Sequence, residues 1–412
     1  MRGDTKRMKQ WKYYITFVIV FLFVWILMAV GIRQVSGDII LGADYYTFYT
    51  AARMYLFDRI NPYSQDVTQA AQLGILGRLA TPEEDQLAFA YPFFMLFWVF
   101  PVAWLDISLS QPLWMSFNIL ITLTCLVNTF QNNKIFAFLG LTFYPLLFGI
   151  ILGNFSNLIC FILLYFFDQV IFNQPTRARQ IFLGFLLFWT IGKPQLTILV
   201  LLFALLISLY KKYFTVIISF GVSLVTISSL SILFLPNWFE LWIQRIQQYS
   251  VYVQAKPANL AQTILSFTNI PEGFILASLS IGVVAVFTGW FLIIDKYKNS
   301  SPFEEKLKNL LFLNLIIIFT ILLMPRTLSF DQFLILIGLF LGSKFLIETK
   351  PKPIAIIWLF YSVLSWLVLL VPASSKLSST NIIFPIIASI SWMIIFWFLS
   401  KEKMKEISHE PA

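Results

Sequence analysis

Asp44 is the residue in this chain best placed to do chemistry. It stands in the stretch 42–63, GADYYTFYTAARMYLFDRINPY, directly after the first long apolar run. Only 12% of the residues are charged, so a carboxylate where the chain leaves an apolar run stands out. Such a group can serve as a general base. Its structural alternative is an N-cap, accepting backbone N–H bonds from a helix that starts at Tyr45 or Tyr46. Lys193 lies inside an apolar stretch, in Gly192-Lys193-Pro194-Gln195. An intramembrane lysine is costly and tends to be functional, here as a counter-charge for a lipid-borne phosphate; the plainer reading is a side chain that snorkels to the surface. Asn154 and Gln195 occupy similar breaks and could hydrogen-bond a sugar or phosphate, or simply cap helix ends. Arg326 and Asp331 share one short loop, where Arg326 could bind phosphate bidentately or pair with Asp331. The polar stretch 244–266 carries Arg245, Lys256, Asn259 and Gln262 and reads by default as a solvated loop. Tyr45, Tyr46, Tyr49, Tyr63 and Tyr91 cluster around Asp44 in sequence and could stack on sugar rings.

Several chemistries are disfavoured by what the chain carries. The one histidine, His409, is in the polar C-terminal tail, which argues against histidine catalysis and a histidine-ligated zinc. Cys125 and Cys160 lie in apolar runs and read as buried free thiols. There is no Asp-x-Asp nucleotide-sugar motif, dinucleotide fingerprint or P-loop. The net charge of +9 sits at segment ends, so it marks membrane topology and not nucleic-acid binding.

The elements that must position these residues are transmembrane helices. The chain is 59% hydrophobic and 18% aromatic, with apolar runs recurring from end to end. That composition gives an all-α polytopic membrane protein, 1–412 forming one integral domain. Arg2, Lys6, Arg7, Lys9 and Lys12 precede the first run at 11–32, which predicts a retained first span and a cytoplasmic N-terminus. The loop 34–88 is then external; beyond Arg33 it holds three arginines against seven acids. Tyr46, Tyr49, Thr50, Arg53, Leu56 and Phe57 fall at helical spacing within it. Val67, Ala70, Ala71 and Leu76 predict a second short helix, with Asn61-Pro62-Tyr63 as the turn between. Both helices are expected to lie on the membrane surface. A second outer loop is expected at 236–270 and a cytoplasmic tail at 401–412. About thirteen apolar segments can be drawn, including 89–105. Basic residues place both termini in the cytoplasm, which needs an even number of crossings. One segment between Phe130 and Tyr210 is therefore expected to be a half-span, with breaks at Gly153-Asn154 and Gly192-Lys193-Pro194 toward the outer leaflet.

In order along about residues 10–345, short motifs resemble those of the GT-C membrane glycosyltransferases, and within them glycosyltransferase family 87, the polyprenyl-phosphate-mannose-dependent enzymes. They are Asp44 with Phe48-Tyr49-x-Ala51-Ala52 and Asn61-Pro62-Tyr63; Tyr91-Pro92 with Pro101 and the Trp114 region; Gly153-Asn154; Lys193-Pro194; and Ser329-Phe330-Asp331-Gln332. Asn154 stands where the family often has Gln, Phe330 where it has Trp and Gln332 where it has His. The resemblance implies a GT-C-like bundle of about twelve transmembrane helices with short interfacial helices in the first outer loop. It implies an outward-facing site, a lipid-phosphate sugar donor and a catalytic aspartate that falls on Asp44.

The expected function is inverting transfer of a hexose, mannose by the resemblance, from a polyprenyl-phosphate sugar to a lipid-linked or glycan acceptor outside the cell membrane. One carboxylate suffices because a phosphate ester leaves as a stable anion, unlike the alkoxide of glycoside hydrolysis. Donor or acceptor contacts are expected from Tyr49, Arg53, Tyr63, Tyr91, Asn154, Lys193, Gln195, Asn259, Gln262, Arg326, Asp331 and Gln332. The chemistry requires no cofactor; it requires no divalent metal and forbids none. Membrane lipids are partners and nucleic acid is not. A transporter or flippase of a lipid-linked or small polar substrate is the rival class, since it too uses broken helices and intramembrane charge. A non-catalytic membrane subunit is the third; it predicts that Asp44, Lys193 and Arg326 tolerate alanine.

Overall fold

The computed structural model of the chain describes residues 2–82, 84–252, 272–296, 301–324, 329–348, 350–367 and 380–409. Among these residues the chain is all-helical, without strands. The helices are α1 (Arg2–Ser36), α2 (Ala43–Asp58), α3 (Gln65–Leu76), α4 (Phe100–Ala103), α5 (Ile107–Thr129), α6 (Lys134–Gly140), α7 (Tyr144–Leu152), α8 (Phe155–Phe172) and α9 (Arg177–Trp189). They continue with α10 (Pro194–Tyr210), α11 (Phe214–Phe234), α12 (Trp238–Tyr252), α13 (Glu272–Lys296), α14 (Pro302–Leu323), α15 (Phe333–Leu346), α16 (Pro351–Leu367) and α17 (Thr380–His409). Six are long and apolar enough to cross a bilayer: parts of α1 and α13, and all of α5, α8, α11 and α14. The bent pair α6–α7, meeting at 61°, supplies a seventh candidate, and four further apolar segments of 10–17 residues lie in α10, α15, α16 and α17. This is a helical membrane protein, because only internally hydrogen-bonded helices can place so much apolar chain in lipid.

The core is built around α8. Of its spanning window 89% is buried inside the protein, against 6% for α1 and 11% for α13. α8 packs against α5, α7, α9, α10, α14 and α15. Its two ends mark two polar regions. At the N-terminal end lie Asn154 and Ser156; at the C-terminal end Asp168 pairs with Lys344, and Gln169 accepts from Arg179 at 2.9 Å. Lys211 and Glu305 meet at 2.8 Å where α10 ends and α14 begins.

The two helices expected in the loop 34–88 both form, as α2 and α3. Ser64 caps α3, its Oγ accepting from Val67 N, and Asn61 Oδ1 accepts from Tyr63 N to close the turn between them. The apolar run 89–105 departs from expectation. It is no membrane-length helix but a 3-10 segment, Phe93–Trp98, followed by the four-residue α4. Pro92 and Pro101 break the backbone ladder, and Phe93, Phe94 and Phe97 pack against Phe188, Trp189, Phe234 and Trp238. The stretch 244–266 also departs from a solvated loop over its described part. Residues up to Tyr252 belong to α12, and buried Arg245 donates to Thr68 Oγ1 and Ser64 O on the first turn of α3.

Candidate active site

Asp44 does not cap its helix. The N-cap of α2 is Gly42, with no side-chain capping bond, and the backbone N–H groups of Leu41 and Gly42 are instead held by Gln111 Oε1 at 2.9 and 3.0 Å. Asp44 therefore sits in the first turn, where an acid suits the helix dipole, with its carboxylate free to face another element. That element is the junction of α7 and α8. Gly153 ends α7 in the left-handed conformation at φ +69°, and Asn154 N donates back to Gly149 O, a Schellman-type close. Trp114 Nε1 fixes the junction by donating to Gly153 O at 2.9 Å. Asn154 then caps α8, its Oδ1 accepting from Ser156 N at 2.8 Å. With the amide oxygen committed to this cap, the NH₂ must point the other way. It donates to Asp44 Oδ2 at 2.8 Å and to Tyr91 Oη at 3.3 Å. Asn154 is thus both cap and ligand of the carboxylate, the two roles fixing each other.

The second break comes to the same place. Thr190–Gly192 form a 3-10 turn, and Lys193, held out of the helical region before Pro194 at φ −138° and ψ 73°, precedes α10. Thr197 Oγ1 donates across the break to Thr190 O and Lys193 O. Lys193 is 6% exposed; its Nζ donates to Ser156 Oγ at 2.8 Å and to Asp331 Oδ1 at 2.5 Å. Asp331, 1% exposed in the 3-10 segment Ser329–Gln332, also accepts from Ser156 Oγ at 2.8 Å. Lys193 does not snorkel, and its charge is matched by a buried carboxylate. Ser156 links the two breaks, through its backbone N–H to Asn154 and its hydroxyl, which accepts from Lys193.

Aromatic rings hold α2 against this junction. Phe48 stacks on Phe155 at 4.4 Å between centroids and meets Tyr91 edge-on at 5.0 Å. Tyr45 stacks on Trp114 at 5.4 Å, and its hydroxyl bonds Ser110. Tyr63 Oη donates to Tyr91 O at 2.9 Å, positioning that residue from behind.

Asp44 is densely surrounded by protein yet keeps part of its surface accessible. Burial pushes its carboxyl up from 3.8 to about 6; the Asn154 hydrogen bond and the Lys193 ammonium pull it down, and the Asp85 and Asp331 carboxylates push it up. Among the described residues, Asp44 Oδ1 makes no hydrogen bond. Burial also raises the Tyr91 phenol well above its ordinary value, so it stays protonated. The chemistry available is proton acceptance near neutral pH by a carboxylate oxygen whose partner oxygen is held in place.

Asp44, Tyr91, Asn154, Lys193 and Asp331 therefore come together, with Tyr63 in support. Tyr49 and Arg53 do not. Tyr49 Oη donates to Leu105 O, and Arg53 donates to Ala103 O and Leu105 O, stacks near Tyr49 and Phe57, and lies 3.9 Å from Asp106. They clamp α2 to the segment before α5. The reason is helical geometry: nine residues from Asp44 at about 100° each put Arg53 half a turn away. Gln195 is exposed on α10, away from the cluster. Gln332 is buried but lines a separate cavity of about 60 Å³ with Phe143, Tyr361 and Trp392. Asn259, Gln262 and Arg326 lie outside the described residues. Ser156 was not anticipated; its signal was a polar residue two positions after a helix break in an apolar run. No group of histidine, cysteine, aspartate and glutamate suited to a metal occurs among the described residues. Comparison with known protein families, characterised proteins and solved structures returns no match.

Proposed function

We propose that this protein is an inverting glycosyltransferase of the GT-C type, moving a hexose from a polyprenyl-phosphate donor to a lipid-linked or glycan acceptor. The observation that carries the reading is Asp44: a partly accessible carboxylate, raised to about 6, oriented by Asn154 and braced between two helix breaks. Its raised protonation midpoint lies near working pH, as general-base catalysis favours. The acceptor hydroxyl gives its proton to Asp44 Oδ1 while its oxygen bonds to the anomeric carbon. The bond from that carbon to the phosphate oxygen breaks, and the polyprenyl phosphate leaves with the electron pair. Mannose as the hexose rests on the family resemblance.

Lys193 takes a different part from the one its sequence position suggests. Its charge is committed to Asp331, so it braces the site and tempers the negative charge around Asp44. Steadying the departing phosphate falls to Arg326 in this reading. Taking α6–α7, the four shorter apolar segments and α9 as crossings beside the six long helices brings the total to twelve. An even number leaves both termini on one side, which the basic N-terminal residues make the cytoplasm in this reading, with Asp44 outside. Leaving the short segment 93–103 out of the crossings accounts for the parity in this reading, with the bent pair α6–α7 counted as one crossing.

Asp44→Asn is the direct test. Transfer of radiolabelled hexose from a polyprenyl-phosphate donor in proteoliposomes should fall by about 10²–10⁴-fold, with the protein still folded by thermal unfolding. Unchanged transfer removes the base assignment. A transporter is the second reading, favoured by the buried Lys193–Asp331 pair at two broken helices. Flux of substrate without a covalent product would establish it instead.

A further inference from the structure

A polar cavity lies at the end of α8 opposite the candidate site, and its position and charge do not depend on the function proposed above. From Ser156 to Phe172 the helix rises about 24 Å at about 1.5 Å per residue, so this cavity is a separate site. Its volume of about 420 Å³ falls within the range of ligand pockets, about 300–1,000 Å³. Four elements form it: the turn after α5, the end of α8, the start of α14 and the end of α15. Gln131, Asn132, Asn133, Asn173, Lys306 and Lys344 are among its lining residues.

Two ammonium groups lie near one ring there. Lys344 Nζ lies 4.9 Å and Lys306 Nζ 5.8 Å from the centroid of Phe172. Like charges beside one ring repel, and cation–π attraction offsets only part of this. Lys344 has a buried counter-ion behind it in Asp168. Lys306 is half-buried, and among the described residues it has no carboxylate partner. The one acid among the lining residues, Glu348, is exposed and accepts from Asn132 Nδ2 at 3.1 Å. The cavity thus offers a partly desolvated cation, a second beside it and side-chain amide donors, the donor set that phosphoryl oxygens select. Basic pockets between transmembrane helices take phosphate headgroups by the same physics.

We propose that this cavity binds a phosphate-class anion through Lys306, with Lys344 and the neighbouring amides completing the site. The phosphate could belong to an anionic lipid headgroup or to a soluble phosphorylated compound. To test this, the full chain is placed in phosphatidylcholine nanodiscs and in nanodiscs that also contain phosphatidylglycerol. Inorganic pyrophosphate is titrated into each by calorimetry, and retained phosphatidylglycerol is counted by native mass spectrometry. Binding of at least one probe is expected. Lys306→Gln should weaken it by about tenfold or more, the worth of one charge-assisted contact, and Lys306→Arg should largely keep it. Phosphatidylglycerol that blocks pyrophosphate identifies a headgroup site; pyrophosphate that binds equally in both nanodiscs identifies a soluble ligand. In the unaltered protein the bound probe must also protect Lys306 from amine acylation, a readout that does not depend on how a variant folds. Binding of neither probe, no protection of Lys306, or equal binding by Lys306→Gln would overturn the proposal.

Discussion

Replacing Asp44 with asparagine should make the protein more stable at neutral pH while abolishing the proposed transfer, and the size of the gain follows from the site. Burial moves the carboxyl from 3.8 to about 6. At a pH above both values, that shift corresponds to about 3 kcal/mol against the ionised form in the fold. Asp44 retains accessible surface, so water screens part of this, and a gain of about 1–3 kcal/mol is expected. The sign follows from linkage. Because the folded value lies above the unfolded one, Asp44 contributes fully to stability below about pH 4, and that contribution is lost as pH rises through about 6. Asparagine never ionises, and its Oδ1 can still accept from Asn154 Nδ2. The variant and the parent should therefore melt together near pH 4 and separate as pH rises to about 7, the variant higher by a few degrees. Thermal unfolding of both proteins in one detergent, at one scan rate across that range, measures the gap. The proposed hexose transfer by the parent should show an acid limb with a midpoint near 6, since only the carboxylate accepts a proton. A variant that melts below the parent at pH 8, or by the same margin at every pH, would refute the account of Asp44 as a buried, poised carboxylate.

Three further outcomes follow from the same geometry. Asn154→Ala removes a cap, about 0.5–2 kcal/mol, and a hydrogen bond that lowers the Asp44 value; the acid limb of the pH–rate profile should move upward. Lys193→Met and Asp331→Leu each strand a buried charge and should cost about 3–5 kcal/mol singly, with the double variant recovering much of the loss in an unfolding cycle. Gly153→Ala should cost at least about 1–2 kcal/mol by thermal unfolding, because φ is +69° and a Cβ there would lie 2.5 Å from Tyr45 Cβ.

The site was legible in sequence where polar residues interrupt apolar runs. Asp44, Asn154, Lys193 and Asp331 each stand out against their neighbours, and burial of such groups demands partners, so their convergence follows from the cost of leaving them apart. Ser156 was hidden because a serine in an apolar helix ordinarily satisfies itself on a carbonyl of the preceding turn; here it bridges two chain breaks instead. Tyr49 and Arg53 were grouped with Asp44 by proximity in sequence, although helical phase places Arg53 on the opposite face. The Asp168–Lys344 pair joins residues 176 positions apart, and no local pattern links them. Residues 89–105 read as a span because apolar length does not distinguish a crossing from a buried turn. The two prolines were the contrary signal.

α2 carries a carboxylate whose ionised form the site disfavours, yet α2 is not part of the bundle that surrounds α8. Something must hold it there. The rings of Phe48 against Phe155, Phe48 against Tyr91 and Tyr45 against Trp114 contribute about 0.5–1.5 kcal/mol each beyond simple burial. Together that is about the energy by which burial disfavours the Asp44 anion. Phe155, Ser156 and Asn154 are consecutive at the start of α8, so the anchor of α2, the brace to Lys193 and Asp331, and the ligand of Asp44 move as one rigid turn. Loosening any of the three is expected to disturb the carboxylate's position before it disturbs the bundle. This is how Asp44 can sit on a peripheral helix and still keep a fixed geometry.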